Sequence, residues 1–130
     1  MTRCAKLALT GLFVALSLGS SVAQAQGVTV DANRASRGKV VYMRNGCYVC
    51  HAFGRLLAAP DLMAVTDRRG EEWLRRWFKD TNGMLATDPQ AKAMLEEWKM
   101  VKMPQFKLTD PDIDALIHYM AQESQRLRKA

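Results

Sequence analysis

Residues 47–51 read Cys47-Tyr48-Val49-Cys50-His51 and decide how the rest of the chain is read. Two thiols stand three positions apart, with an imidazole directly after the second. That order suits covalent attachment of a haem c: each thiol forms a thioether to one vinyl group of the porphyrin, and the histidine is held under the iron as its proximal ligand. C-x-x-C also serves zinc sites and thioredoxin-like dithiols. A zinc site wants a second pair of soft ligands, and beyond residue 25 the chain has no further cysteine and one other histidine, His118. A thioredoxin-like pair follows a strand in a βαβ unit, and no such alternation is present. A bare disulfide between Cys47 and Cys50 is the remaining alternative.

The N-terminus speaks to compartment. Arg3 and Lys6 form a short positive region, Leu7 to Leu18 is an apolar run broken by Thr10, Gly11 and Ser17, and Ala23-Gln24-Ala25 is an A-x-A cleavage pattern. Residues 1–25 therefore read as a secretory signal peptide, with cleavage before Gln26 and the periplasm as destination. The run is short for a membrane span, which needs about 20 apolar residues, so no stable membrane insertion is expected; an uncleaved anchor is the alternative. Cys4 precedes the run and leaves with the peptide. In an oxidising compartment Cys47 and Cys50 must be kept reduced until haem is attached.

Residues 26–130 suffice for one small domain. Such a chain has a modest core, and a buried porphyrin supplies apolar surface to pack around. Without Arg3 and Lys6 the balance is 17 basic against 13 acidic side chains, a mild excess that suits an acidic redox partner and equally a solvated surface. No basic tract interleaved with aromatics points to nucleic acid.

Helical signals dominate, and the predicted class is all-α with about four helices. Asp31 caps a first helix that runs to about Asn45 and stops at Gly46. A second spans Glu71 to Lys79, acidic at its start and basic at its end, as the helix dipole favours. Thr87-Asp88-Pro89 opens a third, carrying Ala93, Met94 and Trp98. Thr109 and Asp112 form a capping-box variant for the last, whose Ile113, Leu116, Ile117 and Met120 recur at helical spacing.

A sixth iron ligand separates electron transfer from the binding of small ligands. Met103 is the leading candidate. Pro104 disfavours helix at the residue before it, so Lys99 to Lys107 reads as an extended loop able to lay a thioether on the distal face. Met100 is the nearest rival, Met94 and His118 are weaker ones, and Met103 as an ordinary gap-filling methionine is the plain alternative. No catalytic base or second cofactor site is evident, so the chain reads as an electron carrier and not an enzyme.

From Gly38 to about Gln122 the chain resembles class I c-type cytochromes, which are small, secreted, helical and mono-haem. The resemblance rests on Gly38-x-x-x-Tyr42, Cys47-x-x-Cys50-His51, Pro60-Asp61-Leu62, Met103-Pro104 and Leu116-x-x-Tyr119. It implies a cytochrome c domain over residues 26–130, one haem c, and a close crossing of first and last helices at Gly38 near Tyr42 and Tyr119. It also implies a Pro60 carbonyl that accepts from His51 Nδ1 and raises the ligand's basicity. Asp67-Arg68-Arg69-Gly70-Glu71-Glu72-Trp73-Leu74-x-x-Trp77, followed by Lys102-Met103-Pro104-x-Phe106, is similar to the haem domain of the cytochrome c subunit of nitric oxide reductase and to related soluble carriers. Thr81 to Glu97 reads as an insertion relative to that subunit.

By the same likeness Trp73 or Trp77, four apart on one helix face, is a haem-binding candidate through an indole N–H to a propionate; as plain residues both are core aromatics. Arg68 and Arg69 are candidates to neutralise propionates, Phe106 to pack near the porphyrin, and Lys99, Lys102 and Lys107 to meet an acidic partner. The implied function is a periplasmic monomer that shuttles single electrons between redox proteins. The alternative is a fixed haem subunit of a larger oxidoreductase in nitrogen or sulfur compound metabolism.

Overall fold

A computed structural model describes residues 27–130, so the proposed signal peptide lies outside the described residues. Six helices follow in order: α1 Ala32–Arg44, α2 Val65–Arg68, α3 Glu71–Lys79, α4 Thr81–Thr87, α5 Pro89–Glu97 and α6 Asp110–Arg128. No strand occurs among the described residues. The four helices expected from the sequence are α1, α3, α5 and α6, and two shorter ones join them.

The ends of the helices follow from their residues. Asp31 caps α1 by accepting from Arg34 N–H at 2.9 Å, and Gly46 ends it at φ 67°, a conformation glycine adopts without steric cost. Thr109 and Asp112 complete both halves of the capping box on α6. Asp88 caps α5, accepting from Gln90 and Ala91 N–H at 3.0 Å each, with Pro89 in the first turn. The segment read as an insertion holds α4 and α5. Asp80 closes α3 and caps α4, accepting from Gly83 N–H at 2.8 Å. A seven-residue helix containing Asn82, Gly83 and two threonines carries little propensity of its own, so its existence depends on packing Met84 into the core.

Helix α6 is the axis of the molecule. Val41 and Tyr42 of α1 pack with Leu116 and Tyr119 on one side of it. On another side Ile113, Ile117, Met120 and Ala121 meet Leu74, Trp77, Phe78, Met84 and Ala91. Burial of each large apolar side chain contributes about 1.5–3 kcal/mol, an upper figure since the unfolded chain is itself partly collapsed. The α1–α6 crossing requires Gly38, because a Cβ there would stand 2.0 Å from Ala115 O and 2.7 Å from Tyr119 Cβ. Tyr42 and Tyr119 flank the crossing with ring centroids 5.3 Å apart. Asp114 of α6 pairs with Arg34 of α1 at 2.9 Å and Arg75 of α3 at 2.5 Å. The Arg34 pair is partly exposed and the Arg75 pair half-buried; such pairs add little energy but link the same three helices. Phe53, Leu62 and Leu108 pack against both apolar groups and join them beside the Cys47–His51 segment.

Candidate haem site

The attachment motif is presented by the end of α1. Gly46 turns the chain out of the helix, and Cys47–Val49 forms a single 3-10 turn. Cys50 N–H and His51 N–H both donate to Cys47 O, at 3.3 and 3.0 Å. The two thiols and the imidazole therefore share one turn. Both cysteines are free thiols, Cys47 half-buried and Cys50 exposed. Burial pushes the Cys47 thiol up from its ordinary pKa, and the neighbouring Cys50 adds to the effect.

His51 is oriented by the loop that follows it. Its Nδ1 lies 2.8 Å from Pro60 O. A carbonyl can only accept, so Nδ1 carries the proton and Nε2 keeps its lone pair. Burial lowers the imidazole's proton affinity, and the Pro60 bond opposes that in part. The loop holding Pro60 is closed by Ala59 N–H to Cys50 O at 3.0 Å and Leu62 N–H to Ala52 O at 2.9 Å. Asp61 Oδ1 accepts from Gly54 N–H at 2.8 Å and Met63 N–H at 2.7 Å. From the other side, Arg68 donates to Asp61 O at 2.8 Å and to Met63 O. Buried Ser124 of α6 accepts from Ala64 N–H at 2.9 Å. Tyr42 completes the frame, its hydroxyl donating to His51 O at 2.8 Å. Burial chiefly, with Tyr119 and Cys47 beside it, pushes the Tyr42 hydroxyl up to about 12.

Met103 lies in the irregular segment between α5 and α6, as expected. Lys99 and Met100 turn the chain there at φ 51° and 67°, and Met100 is 61% exposed. Met103 is half-buried and packs against the main apolar group. Gln105 ties this segment to the α3–α4 junction, donating to Lys79 O and accepting from Asn82 N–H, each at 3.3 Å. Of the other candidates, Met94 packs partly buried against the same group. His118 is buried, and its Nδ1 accepts from Asp31 N–H at 3.1 Å, so it fastens α6 to the cap of α1.

The two tryptophans are stacked, with ring centroids 5.4 Å apart and planes within 10°. Their N–H groups have protein partners: Trp73 donates to Asp88 Oδ1 at 3.2 Å and Trp77 to Met103 Sδ at 3.3 Å. Arg69 lies over Trp73, 5.2 Å from the ring centroid, and Arg68 holds the Asp61–Met63 backbone. Phe106 is half-buried beyond Pro104, and Lys99, Lys102 and Lys107 are all exposed. Sequence reading missed the positioning roles of Asp61, Ser124 and Gln105. The only signal was the Asp61-x-Met63 spacing of an aspartate that bonds the backbone two residues on.

These side chains fit a covalent haem. Two free thiols, an imidazole with Nε2 available, a thioether and the apolar walls Phe53, Leu62 and Leu108 are the donor set and lining that such a group needs. Among the described residues no group of three His, Cys, Asp or Glu side chains could hold a metal ion instead.

Comparison with known proteins agrees. The family model described as cytochrome c matches residues 35–124. A solved cytochrome c from Rhodothermus marinus is 26% identical with a TM-score of 0.69, covering 78% of this chain and 85% of its own. The cytochrome c domain of the pp3183 protein from Pseudomonas putida is 36% identical with a TM-score of 0.62, covering 71% of this chain and 92% of its own. No curated protein matches the chain. The motif on its turn, the helical frame and the family match converge: the chain belongs to the cytochrome c family and carries one haem c bound covalently through Cys47 and Cys50.

Proposed function

We propose that this haem c electron carrier is a periplasmic shuttle whose iron is held between His51 and Met103. The observation that carries the reading is the 2.8 Å contact from His51 Nδ1 to Pro60 O, which fixes the ring and leaves Nε2 for the iron. When bound, the haem supplies a one-electron ferric/ferrous couple. The chain's own residues do the rest. Pro60, held by the Asp61 and Arg68 bonds, keeps the imidazole in one tautomer and orientation. Met103 offers a neutral thioether, which favours the ferrous form and a raised potential. Phe53, Leu62 and Leu108, partly buried against both apolar groups, offer the porphyrin apolar surface to pack on. Among the described residues, no helix is long and apolar enough to cross a membrane. The A-x-A pattern at Ala23–Ala25 supports export. Lys99, Lys102 and Lys107 offer exposed positive charge beside Met103 to an acidic partner in a brief encounter.

The test is the optical spectrum of the matured protein, oxidised and reduced, with Met103→Ala alongside. A low-spin spectrum whose weak far-red methionine-to-ferric-iron band disappears in the variant is expected. A band untouched by the substitution removes Met103 from the iron. The second reading, a fixed haem subunit, is favoured by the Asp67–Trp77 and Lys102–Phe106 likeness to the nitric oxide reductase subunit. Copurification with an oxidoreductase in fixed stoichiometry would establish it, whereas elution as a monomer supports the shuttle.

A further inference from the structure

Ser124 of α6 is wholly buried, at 0% exposure. Its hydroxyl donates to Met120 O at 2.8 Å, the bond a buried helical serine makes within its own helix. The same oxygen accepts from Ala64 N–H at 2.9 Å and so reaches another part of the chain. Ala64 stands at φ 56° and ψ 24°, in the left-handed region, just ahead of α2. That conformation is costly for a residue with a Cβ, and glycine is its usual occupant. Ala64 is held on its other side as well, its carbonyl accepting from Asp67 N–H at 3.0 Å and Arg68 N–H at 3.1 Å. The Arg68 side chain holds the Asp61 and Met63 carbonyls, so that clamp also depends on the Ala64 turn. From Ala64 the chain leads directly back to Pro60, whose carbonyl stands 2.8 Å from His51 Nδ1.

We infer that Ser124 is a positioning residue for the proximal histidine: by holding Ala64 N–H it keeps a strained turn in place, and that turn sets the Pro60 carbonyl against His51 Nδ1. This rests on the reading of His51 as an iron ligand. Without the hydroxyl, Ala64 N–H loses its acceptor and nothing offsets the cost of the left-handed turn. The loop then relaxes and the Pro60 carbonyl withdraws. An imidazole without that bond is a weaker donor to iron. A weaker donor stabilises the ferric state less, so the ferrous form gains.

The experiment compares wild type, Ser124→Ala, Ala64→Gly and the double variant as matured holoproteins. The readouts are redox titration and NMR of the His51 Nδ1 proton. In Ser124→Ala, solvent exchange of that proton should speed up about tenfold. At a fixed solution potential the ferrous-to-ferric ratio should rise roughly threefold, both changes lying within the weight of one ordinary hydrogen bond. Ala64→Gly should keep both readouts at wild-type values. In that background the loss of the Ser124 hydroxyl should move them less, because glycine holds the turn without strain. A Ser124→Ala protein that is less stable but unchanged in both readouts overturns the positioning role and leaves the ligation standing. Equal changes in the two backgrounds overturn the part given to the strained turn. A His51 Nδ1 proton with no shift between ferrous and ferric wild type overturns the ligation itself. Should Ser124→Ala fail to mature, Ser124→Cys substitutes a weaker acceptor of similar size. The same directions are then expected, and unchanged readouts overturn the role.

Discussion

Replacing Gly38 with alanine sets two physical effects of opposite sign against each other at one position. In an isolated helix alanine is favoured over glycine by about 1 kcal/mol. At this crossing the added Cβ would lie 2.0 Å from Ala115 O, 2.5 Å from Ala115 C and 2.7 Å from Tyr119 Cβ. The first two are backbone atoms of α6, so no side-chain rotation relieves them. Restoring the 3.4 Å of ordinary contact from 2.0 Å means moving the helices apart by about 1.4 Å along that line. Such a shift opens the layer formed by Val41, Tyr42, Leu116 and Tyr119. Overpacking of a close contact costs about 1–3 kcal/mol, and rigid backbone on the receiving side puts this case at the upper end. The net loss is about 2 kcal/mol after the helix gain, which for a domain of this size lowers Tm by about 10 °C. The assay is thermal unfolding of the matured protein by far-ultraviolet circular dichroism, with the exposed Ser36→Ala of the same helix as control. A Tm that rises, as helix propensity alone dictates, would refute the close-crossing argument.

Two further perturbations probe the loop and the helix start. Asp61→Ala removes the acceptor shared by Gly54 and Met63 N–H; about 1–2 kcal/mol of stability should be lost, since water partly replaces exposed bonds. Calorimetry of the holoprotein checks it, and a Tm within a degree of wild type would show the loop to be held by Arg68 and the backbone alone. At Asp112, the bonds from the Thr109 hydroxyl and N–H, with Arg44 beside them, hold the carboxyl below its ordinary pKa. A group depressed in the folded state binds its proton more readily once unfolded. Its contribution is therefore complete above the usual aspartate value of about 4 and is lost as pH falls from there through the lower value of the folded state. Asp112→Asn should flatten the fall of Tm below that pH, and parallel curves for the two proteins would exclude the carboxylate as a source of the acid limb.

Much of the frame was legible because its causes are local. Asp31, Gly46, Glu71, Lys79, Asp88 and Thr109 act within a turn of their own positions, and each helix they bound lies where those residues place it. The attachment motif is likewise one turn of chain. Helices α2 and α4 were not legible, since four and seven residues of weak propensity become helical only when Thr66, Thr81 and Met84 are buried by the rest of the fold.

The same distinction runs through the site. That Met103 sits in an irregular segment follows from Pro104 beside it. What its sulfur meets does not, because Trp77 is 26 positions away and reaches it only after α3 has packed on α6. Trp73 and Trp77 have identical side chains one helical turn apart, so their sequence positions give no reason for different partners. The fold separates them: Asp88, the cap of α5, is placed to take one N–H, and the segment after α5 carries a thioether to the other. The stretch from Thr81 to Glu97, which as sequence looks like an interruption between α3 and the Met103 segment, therefore has a structural role there. It supplies the carboxylate that occupies Trp73 and leads the chain round to bring Met103 to Trp77.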